Sequence, residues 1–331
     1  IQSFPGVAST PAFRNDVIVR GGGPNENRFY IDNVEIPYLN HFSTQGSSGG
    51  PVGIINVDFV QSVDFISGAF PASKGNALSS VLNFTFLDGN RDKIKTRATI
   101  GASDLGLTID GPTGKRSTLL LSVRRSYLQF LFSAIGLPFL PNYTDFQLKY
   151  KIRLNDKNEL TVIGLGAKDD FKLNLDANET EYQRYILDYI PVQEQYSYTT
   201  GLVYKHFRKG GYDTWVLSRN YLNNSQYKYA GNVESPENKI LDYLSGEGEI
   251  KTRFERTILG ENGLRINFGG GAEYAHYRNS TFRLLYVPAG EFEINYNTNL
   301  KIGKFSAFGQ VSKPYLNERL RLSFGARTDF N

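Results

Sequence analysis

Residues 145–154 alternate without a break. Asp145, Gln147, Lys149, Lys151 and Arg153 are polar or charged, and Phe146, Leu148, Tyr150, Ile152 and Leu154 between them are apolar. The run has the length of a tilted membrane-spanning strand, about 9–11 residues. Residues 246–254 repeat the pattern, with Glu247, Glu249, Lys251 and Arg253 opposite Ile250 and Phe254. Residues 320–327 do so again, Leu320, Leu322, Phe324 and Ala326 opposing Arg321, Ser323, Gly325 and Arg327. Charges spaced two apart on one face do not fit the core of a β-sandwich. They fit a strand with a wet lumen on one side and lipid on the other. No stretch approaches the ~20 apolar residues that a membrane-spanning helix requires.

The connections sharpen this reading. Tight polar turns are predicted at 112–115, 155–158, 208–211 and 314–317, and long irregular stretches near 130–143, 169–193, 222–238 and 279–296. Short turns on one side and long loops on the other characterise outer-membrane barrels. A soluble half-buried sheet would also alternate, but would not explain the alternation in loop length. About eleven strands fit between residue 93 and residue 331. Bacterial barrels use an even count, so the barrel is expected to continue past Asn331. Residues 1–90 are different: Gly21-Gly22-Gly23-Pro24 and Gly46-Ser47-Ser48-Gly49-Gly50-Pro51 separate short β-rich runs such as Phe29-Tyr30-Ile31-Asp32. A boundary is predicted near Asn90, with a compact unit at 1–90 and the barrel part at 91–331.

Composition agrees with an all-β membrane protein, with 23 Phe, 21 Tyr and 33 Gly in 331 residues. There is no Cys, hence no disulfide framework, thiolate nucleophile or thiolate metal site. There is also no Met, so the chain is expected to be an internal piece, or a mature chain without its N-terminal segments. Net charge is +4, too mild for a nucleic-acid partner. Residues 1–90 hold four basic side chains against seven acidic ones, a balance of −3 that leaves +7 for the rest. Two units with different surroundings follow.

The first ninety residues resemble the plug of TonB-dependent outer-membrane receptors. Pro5-Gly6-Val7, Val17-Ile18-Val19-Arg20-Gly21-Gly22 and Phe29-Tyr30-Ile31-Asp32-Asn33-Val34-Glu35-Ile36-Pro37 follow the family's order of PGV, IRG and a variant of LxDGxP. Residues 67–83, from Ser67-Gly68-Ala69-Phe70 to Val81-Leu82-Asn83, resemble its closing motif. Asn40-His41-Phe42, the SGAFPA run and Ser122-Val123-Arg124-Arg125-Ser126-Tyr127-Leu128 are similar to Bacteroidetes-type members. The resemblance covers residues 5–86 well and the rest more loosely. It implies a small mixed plug inside a large antiparallel transmembrane barrel, about 22 strands when complete, in the outer membrane.

The same resemblance implies active import of a siderophore, cobalamin, glycan or peptide. The TonB–ExbB–ExbD complex would act on a segment upstream of residue 1. A scaffold that binds a surface lipoprotein or secreted partner is the competing expectation. Substrate would meet three plug loops, offering Phe13, Arg14, Asn25, Glu26, Asn27, Tyr38, Asn40, His41 and Phe42; each is equally readable as a solvated loop residue. Arg20 is expected as the plug–barrel latch, facing Glu247, Glu249 or Glu273 or carboxylates beyond Asn331; a surface arginine is the alternative reading. The family's second latch arginine is replaced by Ser67.

Catalysis finds little support. His41, His206 and His276 lack metal-ligand spacing, and no G-x-S-x-G occurs. Gly111-Pro112-Thr113-Gly114-Lys115 has the wrong spacing for a phosphate loop. Asp169-Asp170 and Asp176–Glu181 read as an acidic loop, solvated rather than holding Ca²⁺. No cofactor is expected, and no enzyme activity.

Overall fold

The computed structural model describes residues 6–8, 15–44, 47, 49–50, 52–288 and 290–331. Phe13 and Arg14 lie outside the described residues. The N-terminal part forms a small inner unit. Strands β1 (Val7–Ala8) and β2 (Ile18–Val19) pair with each other. A four-stranded mixed sheet follows, built from β3 (Asn27–Ile31), β4 (Val34–Ile36), β5 (Val60–Ile66) and β6 (Ser80–Phe86) in the order β4-β3-β6-β5. Asp32 (φ 45) and Asn33 (φ 76) make the β3–β4 turn. Both conformations are left-handed, as a two-residue type I′ hairpin needs, and Asp and Asn tolerate them best after glycine. The apolar faces of these strands close a core of Val19, Phe29, Ile31, Ile36, Leu82 and Phe84, with Phe59 edge-on to Phe86 at 5.9 Å.

Eleven strands form the second body: β7 (Lys95–Ile100), β8 (Asp104–Gly114), β9 (Ser117–Ser126), β10 (Phe139–Asn155), β11 (Asn158–Leu173), β12 (Val192–Arg208), β13 (Gly211–Tyr229), β14 (Lys239–Leu259), β15 (Arg265–Val287), β16 (Gly290–Tyr315) and β17 (Leu320–Phe330). Each pairs antiparallel with its neighbour in sequence, so the sheet is a continuous curved wall with β7 and β17 at its edges. The count and the register follow the alternation. On β10, Asp145, Gln147 and Lys149 are the buried set, at 1%, 0% and 5% exposure, while Phe146 and Leu154 are exposed. Ile250 and Phe324 are likewise exposed. Polar in and apolar out is the inverse of a soluble protein, and suits a wall between lipid and an occupied lumen. Tyr204, Trp215 and Phe254 cluster outward near the short-turn end, with ring centroids 5.4 and 5.0 Å apart, as an interfacial girdle does.

The inward face is not uniformly polar. Leu120, Ile163, Leu165, Val203 and Val216 are buried there and join the inner unit's core beside Val34. Gly201 makes this approach feasible, since a Cβ on it would stand 2.4 Å from Val34 Cγ2.

Turns at 115–116, 156–157, 209–210, 260–264 and 316–319 occupy one end of the wall. The opposite end carries longer connections: 127–138 with helix α1 (Leu128–Ala134), 174–191 with helix α2 (Glu181–Tyr189), and 230–238. Thr180 starts α2 with a capping box to Gln183. The stretch 279–296 is a correction. It is not an irregular loop, because β15 runs to Val287 and β16 resumes at Gly290. Beyond the lipid a strand is wetted on both faces and loses its apolar alternation, which gives it the composition of a loop. Residues 139–143, 169–173 and 222–229 are strand as well, with Tyr143, Asp169, Leu222 and Asn224 buried on one face.

Leu202 faces outward between Val162 and Leu217. Leu202→Lys is expected to lose about 2–4 kcal/mol if it sits at mid-membrane depth. Urea unfolding in phospholipid vesicles checks this; a loss no larger than that of Leu202→Ile would contradict the assigned lipid face.

Candidate functional site

The densest chemistry lies where the inner unit meets the wall, and β10 organises it. Its inward residues descend the strand as Asp145, Gln147, Lys149 and Lys151. Gln147 Oε1 accepts from Asn56 N at 3.0 Å, and its Nε2 donates to Ile54 O at 2.8 Å. Asn56 Nδ2 donates to Ser122 Oγ at 3.0 Å. Lys149 Nζ bridges Asp32 at 2.9 Å and Asp88 at 3.0 Å, and donates to Phe86 O at 2.8 Å. Lys151 joins Asp88 at 2.8 Å to Glu159 at 3.2 Å. Burial would raise the Asp88 carboxyl, but the hydrogen bond from Lys151 and the charge of Lys149 hold it below the usual carboxylate range.

At the loop-bearing end the centre is His41, buried with its side chain fully out of solvent. The backbone turn that presents it is closed by His41 N to Val52 O at 2.9 Å and Gly50 N to His41 O at 2.6 Å. Gly49 has φ +104, and a Cβ there would sit 2.8 Å from Asn40 O, so only glycine fits. His41 Nδ1 meets Asp169 Oδ1 at 2.7 Å, and Nε2 meets Asp145 Oδ2 at 3.0 Å. The Phe42 N–H donates to the other Asp169 oxygen at 2.7 Å. Tyr143 stacks on the imidazole at 4.0 Å. Arg124 completes the cluster: its Nε donates to Asp145 at 3.0 Å and its Nη2 to Gly53 O and Ile54 O at 2.9 and 2.8 Å. Both imidazole nitrogens face carboxylate oxygens, so only the doubly protonated ring satisfies both contacts. Burial pulls the imidazole pKa down, but Asp169 and then Asp145 outweigh it, and the net direction is up.

Further round the wall, Lys251 pairs with Glu35 at 3.1 Å and Glu249 at 2.9 Å, and Arg253 donates to Asn33 O at 3.1 Å. Tyr38 OH donates to Glu247 at 3.3 Å. Ala72 N donates to Gln310 Oε1 at 2.9 Å, and Arg327 to Ala72 O at 3.3 Å. Lys74 lies 3.5 Å over the Tyr30 ring, where burial and neighbouring Arg253 push its ammonium down to about 7.

The candidate substrate residues divide sharply. Asn25 is exposed, and Phe42 is partly buried with its ring edge-on to Phe171 at 6.4 Å. The others are structural in this state. Glu26 accepts from Ser79 at 2.5 Å, and Asn27 is buried between Val17 O at 2.6 Å and Ser80 Oγ at 2.6 Å. Tyr38, Asn40 and His41 are buried, Asn40 donating to Asn15 O at 3.1 Å. Arg20 is exposed at a left-handed turn (φ 52) and forms no ion pair among the described residues. Its expected partners Glu247, Glu249 and Glu273 are occupied by Tyr38, Lys251 and Lys304. Asp169 is a second correction: it is a buried strand residue holding His41, not part of an acidic loop.

Sequence reading missed Asp145, Lys149 and Arg124 as fasteners. The signal was present in the 145–154 alternation, which assigns the first two to the lumen face. Among the described residues, no group of three or more His, Cys, Asp or Glu is placed to hold a metal ion. The arrangement suits holding and releasing one body inside another.

The His41 contribution is fully present below the ordinary imidazole value, about 6.5, and is lost as pH rises through the raised native value. Hydrogen-exchange protection of the Phe42 amide should therefore fall across that window, and His41→Gln should abolish the dependence. Constant protection in the native protein would refute this. Lys149→Met strands Asp32, while Asp88 keeps Lys151, and is expected to lose up to about 3–5 kcal/mol, read as a lower urea midpoint for the inner unit and partly recovered by adding Asp32→Asn.

The sequence matches no family profile and no curated protein. Solved structures do match. The copper transporter OprC aligns with TM-score 0.70 at 12% identity, over 99% of this chain and 52% of its own. The ferripyoverdine receptor of the outer membrane of Pseudomonas aeruginosa gives 0.67 at 14%, over 98% and 48%. The siderophore receptor PirA from Acinetobacter baumannii gives 0.63 at 14%, over 98% and 53%. The chain thus spans about half the length of each. At these identities the likeness establishes architecture: the chain has the plug-and-barrel fold of the TonB-dependent outer-membrane receptors.

Proposed function

We propose that the chain is the plug, residues 1–90, and the first half of the barrel, residues 91–331, of a receptor that imports a nutrient across the outer membrane under TonB control. The barrel would hold about 22 strands when complete. The observation that carries this is the nature of the plug–wall contact. A small apolar patch around Val34 and Gly201 is bordered by ionic and hydrogen-bonded contacts at His41, Lys149 and Lys251. Such contacts fix position yet can be exchanged for water with little net change, which suits a gate that must shift without unfolding the wall.

The cargo is read as a compact polar solute. The structural neighbours include a ferripyoverdine receptor and a copper transporter, so a metal chelate is the class favoured here. Support at the mouth comes from a run of rings: Phe42 meets Phe171, which stacks on Phe139 at 5.5 Å, and Phe139 meets Phe132 of α1 at 5.6 Å. Ligand bound to this run would touch the plug loop that ends at His41. TonB–ExbB–ExbD would act upstream of residue 1.

The chain lacks Cys, so Asn56→Cys with Ser122→Cys places one pair where the native side chains touch. Oxidation is expected to abolish uptake across a panel of ferric siderophores, copper and cobalamin, with reductant restoring it. Deleting TonB should have the same effect as the crosslink. Unchanged uptake in the oxidised variant would sink the gating role.

A further inference from the structure

We propose that the lumen side of the short-turn end binds a single free phosphate group. The reading rests on these short turns lying at the periplasmic side of the outer membrane. Gly111-Pro112-Thr113-Gly114-Lys115-Arg116-Ser117 has the wrong spacing for a phosphate loop, and in the structure it closes the β8–β9 hairpin instead of opening a helix. That hairpin nonetheless borders a cavity of about 160 Å³, lined also by Arg91, Lys151, Arg153 and Glu159.

Three separate stretches of chain bring the cations together. Arg91 lies on the joint between inner unit and wall, where Asn90 N donates to Asp110 Oδ1 at 2.5 Å. Lys115 and Arg116 form the β8–β9 turn. Arg153 stands two residues beyond Lys151 on β10 and shares its lumen face, and its N–H donates to Arg116 O at 2.8 Å. Arg116 Nη1 donates to Leu154 O at 3.3 Å, which holds its guanidinium against the end of β10.

Charge and size decide the occupant. Glu159 is the cross-strand partner of Arg153, yet it turns to Lys151 at 3.2 Å. Among the described residues Arg91, Lys115, Arg116 and Arg153 form no ion pair, and Asp156 is the remaining carboxylate of the lining. Four cations against one carboxylate leave a balance of +3. The volume is well below the ~300 Å³ at which sites for drug-sized ligands begin, so the missing anion is small. Guanidinium pairs with carboxylate and phosphate alike, but these cations arrive from three stretches of chain. A tetrahedral phosphate answers each with a separate oxygen, whereas a planar carboxylate presents one edge. The cavity lies on the lumen face, away from hydrocarbon, which favours free phosphate over a lipid headgroup. Bound there, phosphate would tie the joint at Arg91 to the β8–β9 turn and to β10.

Isothermal titration calorimetry on the full-length receptor in detergent, with no TonB present, tests this separately from import, and its failure would leave the import reading standing. The probes are inorganic phosphate, acetate and a short-chain phosphatidic acid. Phosphate is expected to bind once per chain with a dissociation constant of about 1 mM or tighter, and acetate about tenfold more weakly or worse. Arg116→Gln with Arg153→Gln should weaken phosphate by about tenfold or more. Lys209→Gln, in the exposed turn after β12 at the same end, should leave it unchanged. No saturable phosphate binding by the native protein, or acetate binding as tightly as phosphate, would overturn the site whether or not the double variant folds. So would undiminished affinity in a folded double variant, or binding of the lipid alone.

Discussion

A wall that faces hydrocarbon outside can offer mostly polar groups to whatever fills it. That constraint decides where each part of this molecule obtains its stability. The wall closes its backbone hydrogen bonds strand to strand, from β7 through β17, and needs no apolar core of its own. The plug, by contrast, must bury its own Phe29, Ile31, Leu82 and Phe59–Phe86 pair. What remains for the contact between them is a limited apolar patch and a set of buried polar groups. Such groups are costly when unpaired and add little net stability when paired. The contact therefore specifies register more than it adds strength.

Charge partition in the sequence takes on a physical meaning in this light. The plug balance of −3 and the wall balance of +7 suggested separate surroundings. In the structure they are largely each other's surroundings. Asp32 and Asp88 meet Lys149, Glu35 meets Lys251, and Asp58 meets Arg97 at 2.9 Å. His41 reverses the polarity, a plug cation between two wall carboxylates. Because its charge depends on pH while the lysine pairs persist, the His41 cluster is the more readily loosened part of the contact.

Much of the wall was legible because period-2 alternation is a local signal. Ten residues of β10 suffice to tell the lumen face from the lipid face, and the eleven strands follow from repeating that reading. The β3–β4 hairpin was only half legible: Phe29–Asp32 read as a β-rich run, whereas the turn, Asp32-Asn33, begins inside that stretch. The site was not, and the reason is distance along the chain. His41 lies 128 residues from Asp169 and 104 from Asp145, and no local pattern joins them. The aspartate pair at 169–170 mimics a loop because its strand is by then passing out of the lipid. Polar residues at the plug tips suggested ligand contact, yet Asn27, Asn40 and His41 spend their hydrogen bonds on folding.

The apolar patch then limits how the inner unit can move against the wall. Val34 approaches Gly201 so closely that no side chain fits between them, and Val203 and Val216 flank that point. A plug sliding along the wall would drag Val34 over neighbouring side chains, whereas a plug pivoting about this contact would leave it in place. The contacts on either side of this point share no residue, so loss of the His41 charge need not break the Lys149 cluster. The close glycine approach is thus the fixed point of this contact, and the His41 pairs are its pH-sensitive side.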